Sequence, residues 1–378
     1  MRDVYVVGVG MIKFGRYPEM DIGELGGQAV HLALKDAGLS IKDVQMVASG
    51  NLYQTNMSGQ RVLKEIGMTG VPVYNVANAC ASGSTAFREA YFAVASGAYD
   101  IALAVGTEQM GKMGLLGAPR DPSTSPEGVL GTGLMPGVFG MAGMEHMRKY
   151  GTTIEQFAKV SVKNHKHAIY NPLSQYQVEL SLEDVLNSRM VSYPNTLYMC
   201  CPTGDGAAAA IVVSPEKARQ LAGGGTLIKV AASALTTDPF TPRDLALADV
   251  NTMTRNCARQ AYEQAGLGPQ DINSVELHDC FATAELLHYE NLELCGEGEA
   301  GRLIDSGATA LGGRVPVNTS GGLLSKGHPI GATGVANICE IVWQLRGQAG
   351  QRQVPNHKAG LAHTIGLGSA CAIHILTK

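Results

Sequence analysis

The chain has 378 residues, 45% of them hydrophobic and only 16% charged, with 47 glycines. That profile excludes a disordered chain and exceeds one small core, so it predicts two units or one large α/β layer structure with much buried parallel sheet. A formal net charge of −4 excludes a global field that would recruit nucleic acid or an anionic membrane, so an anionic ligand must be held locally.

The opening run, MRDVYVVGVGM, reads as a strand and lacks the charged leader and cleavage site of a signal peptide. No apolar stretch approaches the roughly 20 residues of a membrane span. The eight cysteines lack CxxC pairs and read as reduced thiols, and the terminal HILTK is no peroxisomal address. A soluble, cytoplasmic protein is expected. Gly8, Gly10 and Gly15 miss the GxGxxG spacing of a dinucleotide loop.

An internal repeat follows. Ala33, Ala37, Gly38, Leu39, Asp43 and Val47 recur 228 residues later as Ala261, Ala265, Gly266, Leu267, Asp271 and Val275. Each copy predicts an amphipathic helix ended by glycine, then a short connection led by Asp into a buried strand. Val71-Pro72-Val73 precedes the turn with Cys80, and Val315-Pro316-Val317 precedes the turn with His328. The runs from Tyr99 and from Ala359 match as further strands closing on glycine. Two homologous α/β halves are expected, 1–225 and 226–378, in α-β-α-β-α layers with right-handed crossovers.

An unmatched insertion, about 111–202, interrupts the first half. Its Gly- and Met-rich stretch from Met110 to Met144 reads as a functional lid. From Thr153 to Tyr170 helical spacing gathers Lys159, Lys163, His165, Lys166 and His167, which is a solvated face or a contact for the phosphates or adenine of an anionic cofactor.

Cys80 lies in NVANACASGSTAFREA, where a strand gives way to small residues and then a helix. Backbone N–H groups and the dipole at such a helix start favour thiolate and an oxyanion; a packing role is the competing reading. His328, in GGLLSKGHPIGATG, sits on a tight turn before Pro329, and pseudo-symmetry makes its turn the mate of the Cys80 turn. His278, Asp279, Cys280 and Phe281 follow an apolar run, at a strand end of the kind that carries catalysis in α/β sheets. Gly366 and Gly368 close another strand and could offer N–H donors. Cys200-Cys201 lacks the companions of a zinc site, so no metal is expected; Cys200, Cys201, Cys257, Cys295, Cys339 and Cys371 read as packing residues.

NACASG at Cys80, HDCF at His278 to Phe281, and GGLLSKGHPIGATG at His328 occur in order across nearly the whole chain. Together they resemble the thiolase superfamily, and within it the sterol-carrier-protein-2 type of thiolase. The resemblance implies the duplicated five-layered α-β-α-β-α thiolase fold with an inserted loop domain that binds coenzyme A. It implies that Cys80 is the acylated nucleophile, that His328 activates it, and that Gly366 contributes to the oxyanion hole with its backbone N–H. Most thiolases carry a second acid/base cysteine in a C-terminal CxG motif, where this chain has Thr364. In the sterol-carrier type HDCF supplies it, making Cys280 the proton carrier and His278 the counterpart of an asparagine. Coenzyme A is then a co-substrate with no tightly bound cofactor, held near Lys159, Lys163, Lys166 and Ser325. A homodimer or tetramer joined near residues 71–76 is implied. Two alternatives stand beside the thiolase: an acyltransferase or carbon–carbon lyase subunit working with a small OB-fold partner, and a non-catalytic acyl-CoA or lipid carrier.

Overall fold

A computed structural model describes residues 1–54, 56–113, 135–222, 225–239 and 248–378. The first half runs β1 (Tyr5–Met11), α1 (Ile22–Ala37), β2 (Met46–Gly50), α2 (Ser58–Ile66), β3 (Val73–Val76), α3 (Ser82–Ala95) and β4 (Ile101–Gln109). The insertion contributes α4 (Met110–Met113), α5 (Met135–Tyr150), α6 (Ile154–Ala168), α7 (Leu182–Asn187) and a hairpin of β5 (Met190–Ser192) and β6 (Asn195–Thr196). β7 (Asp205–Val213) and α8 (Pro215–Ala222) complete it. The second half runs β8 (Ile228–Thr236), α9 (Ala248–Ala265), β9 (Ser274–Glu276), α10 (Ala282–Asn291), α11 (Ala300–Asp305), α12 (Gly322–Ser325), α13 (Ile330–Arg346), β10 (Ala359–Gly366) and β11 (Ala370–Thr377).

The repeat is visible at the level of single caps. α1 ends at Gly38 with φ +66° and α9 at Gly266 with φ +65°. Asp43 accepts from the Ser40 N–H and Asp271 from the Gly268 N–H, both at 2.8 Å, before β2 and β9 begin. Gly8 and Gly10 serve packing: a Cβ on either would lie within 2.5 Å of an α1 carbonyl, Ala33 or Ala29, so β1 and α1 approach more closely than any side chain allows.

Among the described residues nine strands form one hydrogen-bonded sheet in the order β3-β2-β4-β7-β1-β8-β11-β10-β9, apart from the separate β5–β6 pair, the halves joining where Tyr5 and Val6 pair with Lys229 and Ile228. The expectation of parallel sheet is corrected. β2 pairs parallel with β3 and β4, and β9 with β10, but β1–β7, β4–β7, β8–β11 and β10–β11 are antiparallel. An apolar run signals burial on both faces and carries no information on strand direction.

α1 and α2 cover one face of the first half-sheet, and α9 covers the second half-sheet through β8 and β11. α3 and α13 pack on each other and on strands of both half-sheets. The order is helices, sheet, helices, sheet, helices. The middle layer shares one core, in which Phe87 and Ala90 of α3 meet Val335 and Ile338 of α13. The insertion packs on the second half instead, with Phe139, Phe157 and Val160 joining Phe281 and Leu286. Residues 114–134 of the expected lid lie outside the described residues; the part from Met135 onward is helix α5, with Phe139 buried.

Candidate active site

Cys80 lies two residues before α3, on a turn in which the Ala81 N–H bonds the Asn78 carbonyl and the Ser82 N–H the Ala79 carbonyl. Ala79 adopts φ +47°, a left-handed conformation that costs a non-glycine residue about 1–2 kcal/mol. Strain of this kind persists where surrounding structure holds a functional group in place. β10 ends against the turn: a Cβ on Gly366 would lie 2.2 Å from the Asn78 carbonyl oxygen.

His328 stands between α12 and α13 and is buried. Its Nδ1 lies 2.7 Å from Thr333 Oγ1, and that hydroxyl donates to the Pro329 carbonyl at 2.9 Å. A hydroxyl has one proton. Because it goes to Pro329, the Thr333 oxygen accepts from His328 Nδ1–H, which leaves Nε2 as the basic nitrogen. Nε2 is buried without a hydrogen-bond partner.

β9 delivers His278. Its ring meets that of His328 edge-to-face at 4.9 Å between centroids. The Cys80 thiol and one ring nitrogen each of His278 and His328 lie within 4.8 Å of one another, so residues from both halves converge on the start of α3. Among the described residues this is the only set of three or more His, Cys, Asp or Glu side chains close enough to share a metal ion; sequence spacing tests only near neighbours and misses it.

Cys280 is buried, and its carbonyl accepts the Cys201 N–H at 3.0 Å. Cys201, read from sequence as packing, lies near enough to Cys80 and Cys280 for the three thiols to influence one another. Phe281 stacks on Phe139 of α5 at 5.0 Å, closing the HDCF segment under the insertion.

Burial governs the electrostatics. It lowers His278 to about 3, and it lowers His328 well below the ordinary imidazole value with help from His278 and Lys326. Both rings are neutral at pH 7, the state a base requires. Burial, then Cys201, Cys80 and Asp279, raises the Cys280 thiol well above its ordinary value, so it rests protonated and can act as an acid.

Two buried carboxylates brace the His328 turn. Glu108, at the end of β4, accepts from the N–H groups of Leu52, Tyr53 and Gly331, and burial raises it from 4.5 to about 7. Glu276 accepts from the Ser320 N–H at 3.0 Å and lies 3.4 Å from the Lys326 ammonium, which donates to Asn337 at 2.9 Å. Glu108 and Thr333 were not legible as functional positions. The only signals are a lone acid ending a buried strand and a threonine one helical turn beyond Pro329.

The basic helix is found as predicted, with Thr153 capping α6, but its polar residues do not form an open surface. Lys163, His165 and His167 are buried; Lys163 is held by Glu285 and the Val317 carbonyl, and Lys159 pairs with Asp305. Lys166 is exposed. All three lysines line a cavity of about 630 Å³ with His167 and Tyr170. Ser325 is buried, its hydroxyl donating to the Tyr176 carbonyl at 3.0 Å.

Residues 4–185 match the thiolase N-terminal domain and residues 243–378 the thiolase C-terminal domain-like family. The chain belongs to the thiolase family. This thiolase is 38% identical to an acetyl-CoA acetyltransferase of Methanothermobacter thermautotrophicus over the full length of both chains. It is 42% identical to sterol carrier protein 2 of Oryctolagus cuniculus, over 98% of this chain and 71% of that protein. Among solved structures, an "Ltp2-ChsH2(DUF35) aldolase" superposes with a TM-score of 0.85 at 27% identity, covering 98% of this chain and 97% of the other. Human mitochondrial 3-ketoacyl-CoA thiolase, at 17% identity and a TM-score of 0.75 over 100% of this chain and 99% of that one, shares the fold. The layers described above are the thiolase fold.

Proposed function

We propose that this thiolase-type acyltransferase cleaves and forms 3-oxoacyl-CoA through an acyl intermediate on Cys80. The observation that carries the reading is the grouping of the Cys80 thiol with the His328 and His278 nitrogens within 4.8 Å, with His328 held in the tautomer that leaves Nε2 basic. His328 takes the thiol proton and the thiolate attacks the 3-keto carbon. The N–H groups of Cys80 and Gly366 stabilise the oxyanion. The C2–C3 bond breaks, and the acetyl-CoA enolate is stabilised by His328 and a water held at His278, then protonated at C2 by Cys280. Coenzyme A, the co-substrate, removes the acyl group from Cys80. Synthesis runs the same steps backwards, with Cys280 taking the methyl proton of acetyl-CoA.

The halves are 1–225, with the insertion at about 111–202, and 226–378. Lys166 and the lysine-lined cavity support holding coenzyme A phosphates beside α6. Ser325 loses that assignment because its hydroxyl is committed internally. β3 is an edge strand with Tyr74 51% exposed, which supports self-association through residues 71–76 into a dimer or tetramer. All eight cysteines are thiols rather than halves of disulfides, which supports a reducing, cytoplasmic compartment, and no helix among the described residues is long and apolar enough to cross a membrane.

The neighbour titled "Ltp2-ChsH2(DUF35) aldolase" supports a second reading, a carbon–carbon lyase subunit that works with a small OB-fold partner. Intact-mass spectrometry after incubation with acetyl-CoA or acetoacetyl-CoA separates the two. A covalent acyl adduct that disappears in Cys80→Ala supports the thiolase. No adduct with a broad panel of acyl-CoA esters sinks it, and thiolysis assayed with and without a co-purified small protein then tests the partner-dependent lyase.

A further inference from the structure

Behind the Cys80 site lies a second set of buried polar groups that the reaction steps do not use. Asp279, between His278 and Cys280, is completely buried. Its Oδ1 accepts the Leu323 N–H at 2.7 Å; its Oδ2 accepts the Leu324 N–H at 3.2 Å and the Asn164 side-chain amide at 2.8 Å. The same Asn164 nitrogen lies 2.8 Å from Glu285 Oε2, which also accepts from Asn318 Nδ2 at 2.8 Å. Asn318 in turn accepts the Leu277 N–H at 2.9 Å, and Glu285 is further held by Lys163 and Tyr289.

Three distant segments therefore meet on two carboxylates: α6 of the insertion, the HDCF segment, and the turn from Asn318 to His328. Gly322 makes the contact possible, since a Cβ there would lie 2.2 Å from Asp279 Oδ2 and its φ is +61°. Leu324 is four residues from His328, and Asp279 is the chain neighbour of both His278 and Cys280. A shift of Asp279 thus moves three groups of the site at once. Each contact to Asp279 is donated to it and a carboxyl group accepts at both oxygens, whereas an amide presents N–H to at least one N–H; burial and then Glu285 raise Asp279 well above the ordinary carboxylate value, opposed by the Leu323 and Leu324 N–H groups and Lys163.

We infer that Asp279 is a positioning residue of the reaction: its carboxylate sets the His328 turn against the HDCF segment and, through Asn164, registers helix α6 to both. The inference rests on the reading of Cys80 and His328 as the reacting pair.

Asp279→Asn tests it by three measurements on the folded variant: KM for coenzyme A, kcat, and the pH profile of Cys80 alkylation by iodoacetamide. Misplacement by about 1 Å can cost about 100-fold in rate. The expected result is kcat reduced by roughly that 100-fold, a smaller rise in KM for coenzyme A because α6 also loses its tie, and an alkylation midpoint moved to higher pH as His328 draws away. A folded variant with the parental alkylation profile and kcat, or with loss in KM alone, overturns the inference. If Asp279→Asn does not fold, Asn164→Ala decides, because it leaves the contacts to Leu323 and Leu324. It should loosen Asp279 and slow acylation about tenfold, and a parental acylation rate there overturns the inference. If the parent protein itself forms no acyl adduct, the Cys80 reading has failed instead.

Discussion

Thr333→Val is the sharpest perturbation of the proposed nucleophile–base pair, Cys80 and His328. Valine fills nearly the same space, so no cavity opens at a side chain with no exposed surface. What disappears is the oxygen that accepts His328 Nδ1–H at 2.7 Å and donates to Pro329 at 2.9 Å. An unpaired buried N–H costs about 1–3 kcal/mol, and the ring can escape that cost by moving its proton to Nε2, which removes the base. At about 1.4 kcal/mol per factor of ten, acylation should slow by roughly 5-fold to 150-fold. Rapid-quench intact-mass spectrometry with acetyl-CoA measures it directly as the rate of acetyl–Cys80 formation. Thr333→Ser keeps the hydroxyl and should stay near the parental rate. Acylation of a folded Thr333→Val protein within twofold of the parent would refute the tautomer argument.

Other predictions address separate parts of the site. Cys280→Ala should still form the acyl adduct yet lose carbon–carbon cleavage, read by comparing adduct mass with acetoacetyl-CoA turnover; equal loss of both steps would remove Cys280 from the separate proton-carrier role. Glu108 is raised from 4.5 to about 7 by burial, so the native state holds a proton that the unfolded chain has lost between those values. Its contribution is complete below pH 4.5 and lost as pH rises through 7, by up to about 3 kcal/mol. Urea unfolding at pH 5, 6 and 7.5 should show a fall in stability that is absent in Glu108→Gln, and parallel curves would contradict the assignment. Gly366→Ala forces a Cβ to 2.2 Å from the Asn78 carbonyl. It should cost about 1–3 kcal/mol in thermal unfolding and slow acylation, and an unchanged melting temperature would show that β10 does not brace the Cys80 turn.

Much of the architecture was legible because the repeat is written in capping chemistry. Gly38 and Gly266 end helices by adopting positive φ, and Asp43 and Asp271 lead the next strands, so local rules act at each copy without tertiary help. Strand direction was not legible. The run Ala207 to Ala210 of β7 is buried, but its antiparallel pairing with β1 and β4 is decided by neighbours far away in sequence. Lys163 shows the same limit at the site. Its helical position was read correctly, yet its burial against Glu285, more than a hundred residues away, reverses what a basic helix face suggests.

The residues themselves determined which groups carry reactive chemistry. A thiol before a helix, an imidazole on a glycine-rich turn, and a second thiol at a strand end are local properties of NACASG, GHP and HDCF. Only the tertiary structure decided which of them meet and in what state. The pairing of two half-sheets around α3 and α13 brings Cys80, His278 and His328 together, and enclosure makes both imidazoles neutral. Thr333 and Pro329 then select the basic nitrogen. These outcomes depend on burial and on partners supplied by distant segments, which no local pattern encodes.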